Sequence, residues 1–493
     1  MKKASKSQWI KFGIVALIYI LFIVWVGNYW WLLGLPVIFD IYVSKIIPWG
    51  GWKQSENKYV RKVAEWADAI IFALIAVYFI NIYVFQNYKI PTSSLEKTLL
   101  VGDFLFVSKV SYGPRVPNTP LSFPLAQHTM PILNCKSYIE WPQWSYKRLK
   151  GLGEVKRNDI VVFNFPAGDT VALNYQQTDF YSLAHQVEEE LHHMESGSKF
   201  IRTHQKDFGK VVYRPVDRRE NYVKRCIGMP GDSLQIINNQ VYIDGKKQEN
   251  PKNMQLNYFV ETTGSRWNDK TFLLFDVSKD DRIPVGSQNI QLFQLLGIDP
   301  AGTDQNGMDY YNPVYRMPLT AEALAKLEKS GFAKSIVVEP DDFGGPVYPI
   351  HNHNHNHDHC HHDHHDYHHT EWTRDNYGPL WIPKKGASIE LNEQNLLFYE
   401  RCIVNYEGNK MKVENGKIYI NDQPANTYTF KYNYYFMMGD NRHNSADSRS
   451  WGFVPEDHVV GKPILVWLSL DKDRGLFNGG IRWKRLFRFV GNE

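Results

Sequence analysis

The sequence predicts a mainly β soluble region of antiparallel sheets, anchored by N-terminal membrane-spanning helices. Three observations lead there. Residues 10–26 and 69–85 are almost wholly apolar, each close to the ~20 residues needed to cross a bilayer. After Phe85 come short runs rich in β-branched and aromatic residues, bounded by turn residues, the pattern of strands. In that region only residues 320–329 and those around 186–193 look helical.

Residues 1–88 form the predicted membrane anchor, with two to three transmembrane helices. The stretch 29–47 is apolar but carries Pro36 and Asp40, so it reads either as a span or as an interfacial or re-entrant segment. The first apolar run does not read as a cleaved leader, because Val26-Gly27-Asn28-Tyr29-Trp30 offers no small-x-small site. Lys2, Lys3, Lys6 and Lys11 precede the first run, and Lys53, Lys58, Arg61 and Lys62 precede the last. Positive residues mark cytoplasmic flanks. Placing both clusters inside favours three spans and puts everything after Phe85 outside the cytoplasm.

The 493 residues suffice for two or three domains. Lys and Arg total 56 against 52 for Asp and Glu, too even a balance for a nucleic-acid-binding face. The 15 Trp and 29 Tyr suit a chain that lies partly at a bilayer interface. Cys135, Cys226, Cys360 and Cys402 form no CxxC pair and are too few for a disulfide scaffold. Cys226 and Cys402 could pair if their strands are neighbours.

Strands are predicted at 104–107, 159–163, 240–244 and 417–420, with hairpin turns at Asn238-Asn239 and Asp244-Gly245. Tyr222-Val223-Lys224-Arg225-Cys226-Ile227 resembles Tyr399-Glu400-Arg401-Cys402-Ile403, and each precedes a strand-like run. This reads as a duplicated β-hairpin unit, with Glu400 standing where the first copy has Lys224. Residues 250–390 form a long polar insertion between the two β-rich segments 89–249 and 391–493. Within it, 351–369 holds eleven of the 18 His. That low-complexity tract reads as a mobile loop. Its imidazoles would bind divalent metals weakly, without the geometry of a folded site.

Four blocks stand out. The first is Pro91-Thr92-Ser93-Ser94, directly after an apolar run. The second is 153–163, GEVKRNDIVVF. The third is Lys224-Arg225-Cys226-Ile227-Gly228-Met229-Pro230-Gly231-Asp232. The fourth is 438–449, MGDNRHNSADSR, followed by WGFVP at 451–455. Singly, each has a plain reading as a turn, a solvated strand face or an Asx-rich loop. Together, in this order and after a membrane span, they closely resemble the bacterial type I signal peptidases.

The resemblance covers about 100 residues of motif. It implies a signal-peptidase-like β catalytic domain and a membrane-bound serine endopeptidase with a Ser–Lys dyad. The substrates would be exported preproteins, cut after small-x-small sites on the outer, periplasmic or extracytoplasmic, side of the cytoplasmic membrane. Carried over by motif position, Ser94 is the nucleophile and Lys224 the general base. Thr92 and the Ser94 N–H form the oxyanion hole. Ser445 orients the Lys224 amine, and Asp447 and Arg449 form a supporting ion pair. No cofactor is implied. The partners are preproteins and the lipid bilayer, with weak metal binding by the His tract.

The residue chemistry fits those roles. A free Lys titrates near ~10.4 and is a poor base at neutrality, but burial can lower it by ~3–5 units. Tyr222, Val223, Ile227 and Met229 could supply the apolar surroundings. Ser94 lies nine residues past Phe85, at most ~30 Å of extended chain, so the nucleophile is tethered near the bilayer that also holds the substrate's apolar segment. The chain departs from the usual family pattern at Leu95 and Lys97, where Met and Pro are common, at His443, often acidic, and in its insertion. Two other readings stay open: a Ser–Lys protease dedicated to a few targets, and a membrane-anchored metal-binding or assembly protein that has lost activity.

Overall fold

The computed structural model describes residues 4–491 apart from 28, 50, 52–55, 134, 177, 193, 350–369, 415, 472–473 and 476–478. The His tract lies outside the described residues. The chain divides into two units, residues 1–86 with 107–154, and residues 87–106 with 155–493.

The first unit contains two helices long and apolar enough to cross a membrane, Lys6–Val26 and Lys58–Tyr83. Ser5 caps the first by accepting from the Gln8 N–H, and Asn57 caps the second. The middle apolar stretch does not make a third such helix among the described residues, so two of the two to three expected spans stand as candidates. It is broken into a 3₁₀ turn Tyr29–Gly34, an α turn Leu35–Phe39 and a π turn Asp40–Ser44. Its apolar part, Trp31–Ser44, would reach only ~21 Å as a helix, short of the ~30 Å hydrocarbon core. The Asp40 carboxylate ends it by accepting from the Ile46 and Ile47 N–H groups and from Trp49 Nε1. Residues 107–154 pack Val116, Leu149 and Trp144 on Val26, Tyr83 and Phe79 of the long helices.

The second unit is built on antiparallel sheets, as predicted. The largest has eight strands in the order Phe85–Lys89, Asp103–Ser108, Val459–Ser469, Ile160–Asn164, Asn221–Gly228, Tyr434–Met438 and Val454–Pro455, with Arg488–Phe489 beside Val459–Ser469. Ile160–Asn164 is buried at every position, because sheet neighbours and packed side chains cover both faces. A second sheet contains the hairpin Ser233–Ile237/Gln240–Ile243. Asn238 and Asn239 take φ of 49° and 65°, the left-handed pair that a two-residue hairpin turn needs. The core between these sheets gathers Ile227, Leu234, Tyr377, Phe430, Tyr434, Phe436 and Phe453.

The duplicated-hairpin reading fails. Asn221–Gly228 is a strand, but residues 399–403 lie in the helix Glu393–Arg401 and the π turn after it. Asn392 accepts from the Asn395 N–H as N-cap, Glu393 sits in the first turn and Arg401 in the last. Each complements the helix ends, and together they override the strand-like composition of Tyr399–Ile403. Cys226 and Cys402 are both buried and free, so the pairing left open does not form. Helices beyond the two expected also occur, among them Gly197–Thr203, Asp269–Leu274 and Ile290–Leu295.

Within 250–390 the chain folds into its own four-stranded antiparallel sheet, ordered Ile283–Val285, Val314–Thr320, Gln255–Thr262, Ala333–Val338. Helix Ala321–Ser330, capped by Thr320, packs Ala323 and Leu327 on it beside Val260, Trp267 and Met317.

Candidate active site

Ser94 lies in a turn closed at its base by Ile90 N–H to Asp103 O (2.8 Å) and Gly102 N–H to Ile90 O (3.0 Å). Leu95 and Leu99 are buried and pin the turn, and Leu99 N–H bonds back to Leu95 O. Below it the Asp103 carboxylate accepts from Ser469 Oγ and Arg485. Ser94 is 6% exposed. Its carbonyl accepts the Asn441 N–H at 3.1 Å, and the Ser93 carbonyl accepts from Asn441 Nδ2 at 3.3 Å. The Ser94 N–H donates to no group among the described residues. Thr92 is exposed and makes no hydrogen bond among the described residues.

Lys224 stands on the central strand Asn221–Gly228, in register with Val161 of the neighbouring strand. It is 3% exposed. Burial lowers its ammonium to about 8, against the upward pull of the Asp447 carboxylate, while Arg449 pushes it down further. Tyr222, two residues earlier, joins Phe165 and Trp451 in an aromatic cluster with ring centroids 4.5–5.4 Å apart. The block 153–163 supplies the flanking strand, and its Asp159 pairs with Lys462 at 2.6 Å.

The loop after strand Tyr434–Met438 carries the fourth block. Asp440 holds Arg225 through two bonds of 2.7 Å and accepts from Thr98 Oγ1 at 2.7 Å. Asp447 accepts from Arg449 Nε (2.9 Å), Arg449 Nη2 (2.8 Å) and the Gly439 N–H (3.0 Å). These donors hold its carboxyl below the usual range despite its burial. Gly439 is where the site closes. A Cβ there would sit 2.3 Å from Ser445 Oγ and 2.6 Å from the Ser94 carbonyl oxygen, so only glycine lets the two serines approach. Ser445 Oγ is buried and has no hydrogen-bond partner among the described residues.

The fold therefore brings Ser94 and Ser445 together at Gly439, one residue beyond the strand that pairs with the Lys224 strand. Asp447 and Arg449 lie close enough to move the Lys224 ammonium. Thr92 shares the Ser94 loop and makes no hydrogen bond to the others among the described residues. The structure adds Asp440 and Arg225, which sit inside the quoted motifs, and Glu96, which nothing in the motif singled out.

Glu96 is 9% exposed, and burial raises its carboxyl to about 7 from 4.5, with Lys97 opposing the rise. The folded state thus holds this proton more tightly than the unfolded chain. Stability should fall as pH rises through the window from 4.5 to 7 and stay low above it. Glu96→Gln is expected to stabilise the protein by roughly 2–3 kcal/mol at pH 8. The gain should vanish below pH 4.5. Thermal melting across pH checks this, and a gain independent of pH would refute it.

No cluster of three or more metal-ligating side chains occurs among the described residues. The family model described as signal peptidase, peptidase S26, matches residues 63–288 and 425–468. Signal peptidase I of Buchnera aphidicola subsp. Baizongia pistaciae is 21% identical over 439 residues, 88% of this chain and 86% of that protein. Signal peptidase I of Helicobacter pylori is 21% identical over 449 residues, 88% of this chain and 95% of that protein. Signal peptidase I of Haemophilus influenzae reaches 51% identity over 56 residues, 11% of this chain and 16% of that protein. With the family model matching more than half of its length, the chain belongs to the signal peptidase family, peptidase S26, and is a serine endopeptidase of that type.

Proposed function

We propose that this membrane-bound enzyme removes N-terminal signal peptides from exported preproteins after small-x-small sites, using Ser94 as nucleophile and neutral Lys224 as general base. What supports the reading is the closure at Gly439, where the Ser94 carbonyl and Ser445 Oγ converge one residue past the strand paired with that of a buried lysine whose ammonium is lowered to about 8. Near neutrality a useful fraction of such an amine is unprotonated.

In the proposed reaction Lys224 Nζ takes the Ser94 Oγ proton as Oγ bonds to the scissile carbonyl carbon. The oxyanion is held by the Ser94 N–H and the Thr92 hydroxyl, donors typically worth ~3 kcal/mol each. Lys224 then gives its proton to the departing amine, and water, deprotonated by the same lysine, releases the acyl group. Ser445 Oγ, without a partner among the described residues, is the acceptor that would take the Lys224 amine during the reaction and fix its direction, and the Asp447–Arg449 pair holds the loop. Residues 1–88 serve as the membrane anchor, 89–249 with 391–493 as the catalytic region and 250–390 as an insertion. If the cluster of Lys53, Lys58, Arg61 and Lys62 is cytoplasmic, the chain after Tyr83 emerges on the outer face with either two or three spans.

The test is cleavage, in detergent, of a preprotein with an Ala-x-Ala site beside the same preprotein with a bulky residue at the cleavage position. Wild type should cut only the first, at one bond, and Ser94→Ala should lose at least ~10³-fold. Equal cleavage of both substrates would sink the small-x-small assignment, and an active Ser94→Ala the nucleophile.

A further inference from the structure

The inserted sheet meets the loop bearing Ser445 through its strand Gln255–Thr262. Strand Gln255–Thr262 begins there: Gln255 bridges Asn441 in parallel, and its N–H donates to Asp440 O at 2.9 Å. Two residues on, the Asn257 N–H donates to His443 Nδ1 at 3.1 Å. The Asn257 and Asn444 amides bond to each other twice, at 3.0 and 2.9 Å. Asn444 Nδ2 reaches Asn441 Oδ1 at 3.2 Å, and the Asn441 N–H holds the Ser94 carbonyl. The contacts are thus continuous from the insertion to the nucleophile turn.

His443 is enclosed by charge from the same insertion. Its Nε2 lies 3.2 Å from Asp375 Oδ2, and its Nδ1 lies 3.7 Å from Glu339 Oε1. Glu339 is held by Arg316 and by Arg374 Nη1 (2.9 Å), and Arg374 Nε pairs with Asp375 (3.0 Å). The Arg374 carbonyl accepts from Arg449 Nη1 at 3.5 Å. Because the Asn257 N–H points at Nδ1, that nitrogen must keep its lone pair. The imidazole is therefore neutral, with the proton on Nε2 facing Asp375. Burial also holds the imidazolium below its ordinary range. Glu339, Arg374 and Asp375 fall between 289 and 424, outside the family-model match. Lys97 makes a second link: it donates to Asp276 O and lies 3.8 Å from the Asp276 carboxylate.

We propose that His443 is a positioning residue. It accepts the Asn257 N–H and donates to Asp375, and so locks the inserted sheet onto the loop that carries Ser445, Asp447 and Arg449. The insertion is then a working part of the hydrolytic site. His443 touches no reacting atom. It acts through Asn444 and Asn441 on the Ser94 turn, and through Arg374 on Arg449. The inference rests on the Ser94–Lys224 reading.

The test uses the full chain in detergent with the Ala-x-Ala preprotein and measures kcat, KM and the pH profile. His443→Ala should lower kcat roughly 10-fold with KM nearly unchanged. It should also move the acid limb of the profile to higher pH, because a loosened loop admits water to Lys224. His443→Asn places an acceptor where Nδ1 stood and should restore kcat to within about 3-fold of wild type. His443→Gln keeps only the far donor and should not restore it. Lys334→Ala breaks a pair with Glu261 on the same sheet (2.9 Å) and should leave kcat and the profile at wild type. A wild-type kcat and profile for His443→Ala, or an Asn variant no better than Gln, overturns the proposal. So does a Lys334→Ala as impaired as His443→Ala. Should His443→Ala not fold, the Asn–Gln comparison decides alone. Ser94→Ala and Lys224→Ala run alongside: if they cleave, the dyad reading itself has failed, and if they are silent while His443→Ala is normal, only this inference has.

Discussion

Lys224→Met is expected to abolish cleavage and at the same time to stabilise the fold. Burial lowers the Lys224 ammonium from 10.5 to about 8. A lysine depressed in the folded state releases its proton there sooner than in the unfolded chain. The unfolded chain therefore binds more protons between pH 8 and 10.5, and stability rises with pH across that window. Below pH 8 the full penalty applies, roughly 3 kcal/mol for a shift of this size. Methionine fills a similar volume without a charge, so the variant should recover much of that penalty at pH 7 and melt several degrees higher. The gain should shrink toward pH 10.5. Loss of a general base costs ~10²–10⁴-fold, so cleavage should fall by at least ~10²-fold. In the wild type the rate should rise with pH to a midpoint near 8. Gaining stability while losing the reaction separates a lysine kept for chemistry from one kept for packing. A Met variant that cleaves within tenfold of wild type, or melts below it at pH 7, would remove Lys224 from the base role.

The elements legible in the sequence were those whose signal is local. Short β-branched runs at 104–107, 159–163 and 417–420 became strands, and Asn238-Asn239 became a hairpin turn because two left-handed residues suit one. Tyr399–Ile403 misled because its composition matches a strand, while the deciding signals, Asn392 and Glu393, lie outside it. The middle apolar run, where Pro36 and Asp40 left two readings open, folds into short 3₁₀, α and π turns. At the site, the motifs named candidate residues but said nothing of their burial. The environment of Lys224 depends on strands Ile160–Asn164 and Tyr434–Met438 packing against its own, far apart in sequence. The surroundings of His443 were equally hidden, because Glu339 and Asp375 come from an insertion with no motif to mark them.

Arg225→Met should cost about 3–5 kcal/mol of stability, the range for breaking a buried ion pair by removing one partner. The Arg225 and Asp440 side chains are each 1% exposed and joined by two bonds of 2.7 Å. Losing the guanidinium strands a carboxylate that water cannot reach. Replacing both groups with apolar ones removes both desolvation costs, so Arg225→Met/Asp440→Leu should recover at least half the loss despite the missing Thr98 bond. A double-mutant cycle in denaturant measures this coupling. Activity should not recover with stability. Arg225 neighbours Lys224 on its strand and Asp440 begins the loop that reaches Ser445, so the pair sets how strand and loop meet. The refolded double variant should keep its KM while kcat stays roughly tenfold low, since small misplacements of catalytic groups are costly. A coupling below about 0.5 kcal/mol would show that the pair contributes little to the fold. A fully active double variant would show that Gly439 and its close contacts hold the two serines in place without it.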